Sequence, residues 1–291
     1  MKYLKLFDLD ADYQSFIGGG GFITPNVSYT LDTKISYFNP KVDYSKEYLT
    51  FTALENDMTV SFNKKASAGT LNYSLDEGNT WTELTDTTPY INSGEKIIFK
   101  GNMTPVSYSG IGIYSTTKNF NVSGNIMSLL YGDDFVGQID LTGRDFAFRY
   151  LFSGCTVVNA KDLILPATTL ANNCYERMFQ DCKSLTSAPV LPATTLAEDC
   201  YSCMFYNCKS LTSAPELPAT TLADWCYSYM FQGCSSLNYI KMLATDISAN
   251  KCLNDWVSNV SPTGTFVKNK NATWNITGTS GIPSGWTVVE E

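Results

Sequence analysis

The chain contains no histidine. That removes the side chain most often used as a general base near neutral pH and most often found on zinc. Arginine is almost as scarce, since Arg144, Arg149 and Arg177 are the only three, and an arginine cluster able to grip phosphate would need nearly all of them in one place. Charged residues fill 16% of the 291 positions and sum to a net charge of −8, which leaves a surface built mainly from Ser, Thr, Asn and Tyr and argues against nucleic acid as a ligand. No apolar run approaches the roughly 18 to 20 residues that cross a bilayer, so membrane insertion is not expected. The opening places Asp8 and Asp10 where a secretory leader carries its apolar core, so export by an ordinary leader is not expected. Nucleophile signals are missing too. There is no Gly-x-Ser-x-Gly elbow, and Gly18–Gly21 is not followed by the Lys-Ser/Thr of a phosphate-cradling loop. Asp133-Asp134 is the best acidic pair, but no EF-hand pattern accompanies it. The expectation is a protein with no catalytic residues, no resident metal and no cofactor.

What is there is a repeat. Leu165-Pro-Ala-Thr-Thr-Leu-Ala returns at Leu191 and again at Leu217, a step of 26 residues. Within the step Cys174, Cys200 and Cys226 align, then Met178-Phe179, Met204-Phe205 and Met230-Phe231, then Cys182, Cys208 and Cys234, then Leu185, Leu211 and Leu237. A divergent copy precedes them with Leu151-Phe152 and Cys155 after one residue of slippage, and another follows that keeps Cys252. Cys174, Tyr175, Met178, Phe179 and Cys182 fall where one face of a three-turn helix would place them. Thr195-Leu-Ala-Glu198 reads as a capping box at the start of such a helix, and Pro189 and Pro215 stop both helix and strand. Each repeat is therefore expected to be a helix, a turn, a short strand and a turn. One repeat has a single apolar face, so Leu, Met and Phe leave water only when repeats stack.

Before the repeat, short runs alternate apolar and polar residues: Tyr48-Leu-Thr-Phe-Thr-Ala, Met58-Thr-Val-Ser-Phe, Thr70-Leu-Asn-Tyr-Ser, Lys96-Ile-Ile-Phe-Lys and Phe120-Asn-Val-Ser. Turn residues separate them, which predicts a compact β-sandwich of immunoglobulin-like type. Inside it, Ser74-Leu-Asp76-Glu-Gly78-Asn-Thr80-Trp81 resembles the Asp-box hairpin of sialidases. A propeller needs at least about four similar blades, and one box predicts a plain hairpin whose Asp and Gly shape the turn.

Seven of the nine cysteines follow the repeat, and side chains running parallel between neighbouring repeats are poorly placed for an S–S torsion. They are expected to be buried thiols acting as small hydrophobes. Cys203 stands where the other copies carry Arg177 and Tyr229, which predicts an exposed free thiol there. Tyr175, Tyr201 and Tyr227 recur and read as core lining; Tyr206, Trp225 and Tyr229 do not recur and are the candidates for contact with a ligand or partner.

Met-Phe-x-x-Cys-x-Ser-Leu-Thr-Ser-Ala-Pro-x-Leu-Pro resembles the BspA-like leucine-rich repeat, whose own period is shorter than this one. The ending Gly264-Thr-Phe-Val267 with Trp274 and Gly281-Ile-Pro-Ser-Gly-Trp286 is similar to the terminal segments of such proteins from gut Bacteroidetes and their phages. The opening, with Phe7, Phe16 and Tyr29, resembles openings of phage structural proteins. The resemblance implies a multidomain α+β chain: an attachment segment at 1–44, a β-sandwich at 45–136, a leucine-rich-repeat solenoid at 137–250 and a C-terminal cap at 251–291. It implies a non-enzymatic adhesion protein of a virion, a fibre or decoration, expected to be a homotrimer. Other virion proteins would bind through Phe7, Phe16 and Tyr29, and a glycan or protein of the host surface would bind the repeats. The alternative is a bacterial cell-surface adhesin whose export signal lies outside this sequence; a glycan-active enzyme rests on the Asp-box alone.

Overall fold

The computed structural model describes residues 47–62, 67–105, 110, 113–115 and 118–291. The chain divides into two compact units, Met1–Val42 and Asp43–Glu291, and every described residue belongs to the second. The expected attachment residues Phe7, Phe16 and Tyr29 lie outside the described residues, as does the glycine run at 18–21.

The alternating runs do form strands. β1 (Leu49–Ala53), β4 (Leu71–Ser74), β5 (Thr82–Glu83), β6 (Lys96–Gly101) and β9 (Phe120–Asn125) pair antiparallel in one sheet. Its order is β10-β9-β1-β6-β4-β5, and β10 (Val157–Ile164) joins parallel to β9. Leu49, Phe51 and Ala53 on β1 are fully buried while Thr50 and Thr52 between them are not, the period-two pattern of a sheet with one face in a core. β2 (Val60–Phe62) pairs with β8 (Ile113–Ser115), and β3 (Ser67–Ala68) with β7 (Thr104–Pro105), as separate two-stranded ladders. The Asp-box is a hairpin between β4 and β5. Asp76 accepts hydrogen bonds from Ser74 Oγ at 2.7 Å, Thr80 N at 2.9 Å and Thr80 Oγ1 at 2.6 Å. These donors stabilise the ionised carboxylate and hold Asp76 down at about 2. Gly78 turns the chain at φ +89°, a region that glycine enters without steric cost.

The expected helix-plus-strand leucine-rich-repeat solenoid is overturned. The one α-helix among the described residues is α1 (Ser128–Tyr131), followed by a single 3-10 turn at Gly132–Asp134; the strands gather in mixed sheets, and no helix there is long and apolar enough to cross a membrane. The segment expected to be helical in each repeat is a run of consecutive turns. In the first full copy Cys174, Glu176, Met178, Gln180 and Cys182 donate their amides three residues back, to Ala171, Asn173, Tyr175, Arg177 and Phe179. The amides between them, on Asn173, Tyr175, Arg177, Phe179 and Asp181, donate instead to Glu198, Cys200, Ser202, Met204 and Tyr206 of the next copy. An α-helix would spend every amide four residues back within itself. Here half of them are satisfied by the neighbour. Every fourth residue takes a left-handed φ, as at Asn173 (56°), Arg177 (57°) and Asp181 (60°), which an α-helix of L-residues does not accommodate. The capping box goes with the helix: Thr195 pairs in parallel with Thr169.

The same division of amides recurs at four junctions, from 146–154 through 225–233, each with five bonds of 2.7–3.1 Å to the following copy. It brings equivalent side chains into columns. Phe152, Phe179, Phe205 and Phe231 stack with centroids 5.2, 5.6 and 5.7 Å apart, and Phe148, Tyr175, Tyr201 and Tyr227 at 5.6, 5.7 and 6.1 Å. Offset ring pairs contribute about 0.5–1.5 kcal/mol each beyond the area they bury. Both columns end on Trp256, and the Phe column begins on Phe51 of β1. One hydrophobic core thus runs from the sheet through the repeats to the C-terminal strands β11 (Tyr239–Met242), β12 (Thr265–Lys268) and β13 (Thr287–Glu290), which pair in parallel. Trp256, Trp274 and Trp286 close that end, each donating its indole N–H to a backbone carbonyl at 2.8 Å.

The Tyr175 and Tyr201 hydroxyls are buried without a hydrogen-bond partner among the described residues. Tyr201→Phe is therefore expected to leave stability unchanged or raise it by about 1 kcal/mol, because it removes only an unmet polar group. Phe205→Ala should cost about 3–5 kcal/mol by opening a cavity in the column. Urea unfolding of the two variants checks both; a Tyr201→Phe protein clearly weaker than the parent would mean that the hydroxyl is bonded.

Candidate interaction surface

The left-handed positions line up from copy to copy and form three columns along the outer ridge of the turns. One holds Phe146, Asn173, Asp199, Trp225 and Lys251; the next holds Tyr150, Arg177, Cys203, Tyr229 and Asp255; the third holds Gly154, Asp181, Asn207, Gly233 and Asn259. The third column contains only Asp, Asn and Gly, the residues that enter this conformation most cheaply. The other two do not follow that rule. They carry Trp225, Tyr229, Arg177, Cys203 and Lys251, all at φ between 52° and 57°.

The structure brings two of the three expected contact residues together. Trp225 and Tyr229 are half-buried, four residues apart on one run of turns. Tyr206 is also half-buried but belongs to a different column, with Gln180 and Gln232. Tyr175, Tyr201 and Tyr227 are in the core, at most 1% exposed.

Sequence reasoning missed the charged cluster under this ridge. Glu176, where the next two copies carry Ser202 and Ser228, is 4% exposed. Its carboxylate takes Arg149 Nη2 at 2.9 Å, Arg177 Nε at 3.0 Å and Asn173 Nδ2 at 2.8 Å, with Arg149 Nε at 2.7 Å as an ion pair. Two of the chain's three arginines thus serve one buried carboxylate. Both also face aromatic rings: Arg149 lies 4.9 Å and Arg177 5.5 Å from the centre of Tyr150, and Lys251 lies 4.3 Å from that of Trp225. Such contacts hold cations over rings for about 0.5–1 kcal/mol at exposed sites. Burial, and then the charge of Glu176, pushes the Asp199 carboxyl above its usual range. The signal available in the sequence was the unique Glu176-Arg177 pair, which no other copy repeats.

Cys203, expected to be exposed, is buried at 7%, with Ser202 Oγ 3.8 Å from its sulfur. It is still the least covered of the nine cysteines, all of which are free and buried. Cys182, Cys208 and Cys234 donate their thiols to Phe152, Phe179 and Phe205 carbonyls at 2.9, 3.1 and 3.0 Å, so the recurring cysteine bonds the copy before it. Among the described residues no three metal-ligating side chains converge. Comparison with family models, with curated proteins and with solved structures found no match.

Burial pushes the Cys174 and Cys234 thiols up to about 12 and the Cys252 thiol up to about 11. Unfolded thiols ionise near 8.5. Below that pH both states keep their protons and stability is full; above it the unfolded chain ionises first, so stability falls as pH rises from about 8.5 towards 12. Urea midpoints between pH 7 and pH 11 should trace this decline, and a thiol reagent should label all nine cysteines only after unfolding. A cysteine labelled at once in the native protein would contradict the burial of Cys203.

Glu176→Ala should destabilise by about 3–5 kcal/mol, because it strands Arg149 in a largely buried site. Thermal or urea unfolding measures the loss, and a change within about 0.5 kcal/mol would show that the ion pair behaves as a surface one.

Proposed function

We propose that this protein is a non-enzymatic adhesion protein that presents the ridge of turns to a glycan or protein of a host cell surface. The observation that carries the reading is the backbone of Trp225 and Tyr229, both at φ +56°. A left-handed conformation costs an ordinary L-residue about 1–2 kcal/mol, and Asn, Asp or Gly much less. The neighbouring column uses those cheaper residues. Bulky aromatics in strained conformations at half-exposed positions are what a contact surface requires and what a stability-optimised turn does not. Aromatic rings offer large contact area with little side-chain entropy to lose, and the stacked backbone beneath holds them in place before binding.

The resemblance of the opening residues to phage structural proteins supports a virion as the carrier, with the segment containing Phe7, Phe16 and Tyr29 as the attachment. The resemblance of the repeats supports a bacterial surface adhesin equally well. Purified particles that hold this chain in stoichiometric amount favour the first, and detection in cell envelopes alone favours the second.

Tyr229→Asn separates function from folding. It is expected to keep or raise stability, by up to about 1 kcal/mol, and to weaken adsorption of the labelled protein to host envelopes; Trp225→Asn should weaken it likewise, with the loss of the Lys251 contact offsetting its gain in stability. Adsorption that is unchanged in both variants would remove the ridge from the binding surface.

A further inference from the structure

A shallow groove of about 260 Å³ lies on the outer face of the large sheet, and its lining residues include none of the ridge of turns. Its floor is Asn72 of β4 and Lys100 of β6, which are direct cross-strand neighbours. One wall is Tyr131 and Asp133, from the end of α1 and the 3-10 turn after it, and the other is Thr70 and Asn102. Gly101 lets that wall approach: a Cβ there would sit 2.5 Å from the Thr70 carbonyl oxygen and 3.1 Å from that of Leu129.

The charges in the groove cancel. Lys100 Nζ donates to both Asp133 oxygens at 2.8 Å, and Tyr48 donates its hydroxyl to Oδ1 at 2.6 Å. Lys100 is held from behind by the Trp81 ring, with its nitrogen 4.3 Å from the centroid. The hydrogen bond from Lys100, and then that from Tyr48, keep the Asp133 carboxyl below its usual range, so the pair stays ionised and mutually neutralised. An anion would have to compete with Asp133 for the lysine, and a cation with the lysine for Asp133. The groove is instead rich in neutral groups with hydrogen bonds to spare. Asn102 Oδ1 accepts from Thr70 N at 2.7 Å and from Thr70 Oγ1 at 3.1 Å, which fixes the amide and leaves its Nδ2 donor uncommitted among the described residues. The Asn72 amide and the Tyr131 hydroxyl have no partner among the described residues. Asp133 has an exposed side chain and retains acceptor capacity on both oxygens. Tyr131 stands at the rim with Arg144 5.1 Å from its ring centre.

We propose that this groove binds a neutral saccharide. The fixed Asn102 amide, the unpartnered Asn72 amide, a carboxylate with spare lone pairs and a ring at the rim match adjacent hydroxyl groups, each of which donates and accepts, on a sugar whose C–H face is apolar. The volume lies just below the usual range of about 300–1,000 Å³ for sites that enclose drug-sized ligands and suits one sugar unit at a chain end or branch. The site is separate from Trp225 and Tyr229 and does not depend on the reading of the ridge.

Saturation-transfer NMR on the full chain tests it, with the methyl glycosides of glucose, galactose, mannose and N-acetylglucosamine as neutral probes and with N-acetylneuraminate and glucuronate as acidic ones. At least one neutral glycoside is expected to bind and to be displaced by none of the acids. Asn72→Trp, which fills the floor, should abolish the signal, and Asn72→Ala should weaken binding roughly tenfold, the loss of about one hydrogen bond; the urea midpoint of each shows that the variant is folded. Failure of every neutral probe, binding of the acids alone, or binding that survives both substitutions would each overturn the assignment. None of these outcomes bears on adsorption through the ridge, which Tyr229→Asn reads independently.

Discussion

The alternation of main-chain amides between their own turn and the next copy is the interaction on which the repeats depend. A run of turns that kept all its amides to itself would have no directional bond to its neighbour, and one that gave them all away would be a strand. Dividing them leaves each copy curled enough to turn its Tyr, Met, Phe and Cys side chains inward, while five bonds fix its register on the next. The ring columns follow from that register. With copies locked residue to residue, a ring in one has no other neighbour to face than its equivalent, and interplanar angles of 4° and 8° between Phe179 and Phe205 and between Tyr175 and Tyr201 record the constraint.

That arrangement also explains how the sheet and the repeats share one core. β10 belongs to the divergent first copy, yet it pairs with β9 on one side and, through Asn159 and Ser187, with the following copy on the other. Phe51 meets Phe152 at the same junction. The sheet thereby covers the end of the repeats that would otherwise expose rings and unmet backbone groups, and the three indoles and the parallel strands β11 to β13 do the same at the far end. Covered ends are a general requirement of stacked architectures.

Much of this could be read from the residues, and the errors have a physical origin. The 26-residue step, the inward side chains and the strands around Phe51, Tyr73, Phe99 and Val122 were legible because burial imposes periods. The helix was misread because Cys174, Met178 and Cys182 recur every four residues, and over so short a run a repeat of 4.0 differs from one of 3.6 by only about 40° per step. What decides between them is whether a neighbouring backbone takes half of the amides, and no side chain announces that. The Asp-Asn-Gly-Asn column at 181, 207, 233 and 259 was the available sign of left-handed turns. Cys203 was placed outside because its equivalents are large and polar, but a short side chain at the same backbone position stays beneath the ridge that Arg177 and Tyr229 reach beyond. Glu176 stands where the next two copies carry Ser202 and Ser228, and its difference from them marks a lack of shared partners and not exposure.

The bonds that join one copy to the next are made by backbone atoms, and they are indifferent to what the left-handed columns carry. Asn, Asp, Trp and Lys succeed one another in the first column, and Arg, Cys, Tyr and Asp in the second, with no change in the frame. A gene encoding such a chain is free to gain, drop or shuffle whole units by recombination without redesigning any seam. The outward lettering can then change from unit to unit while the spine of backbone bonds stays the same.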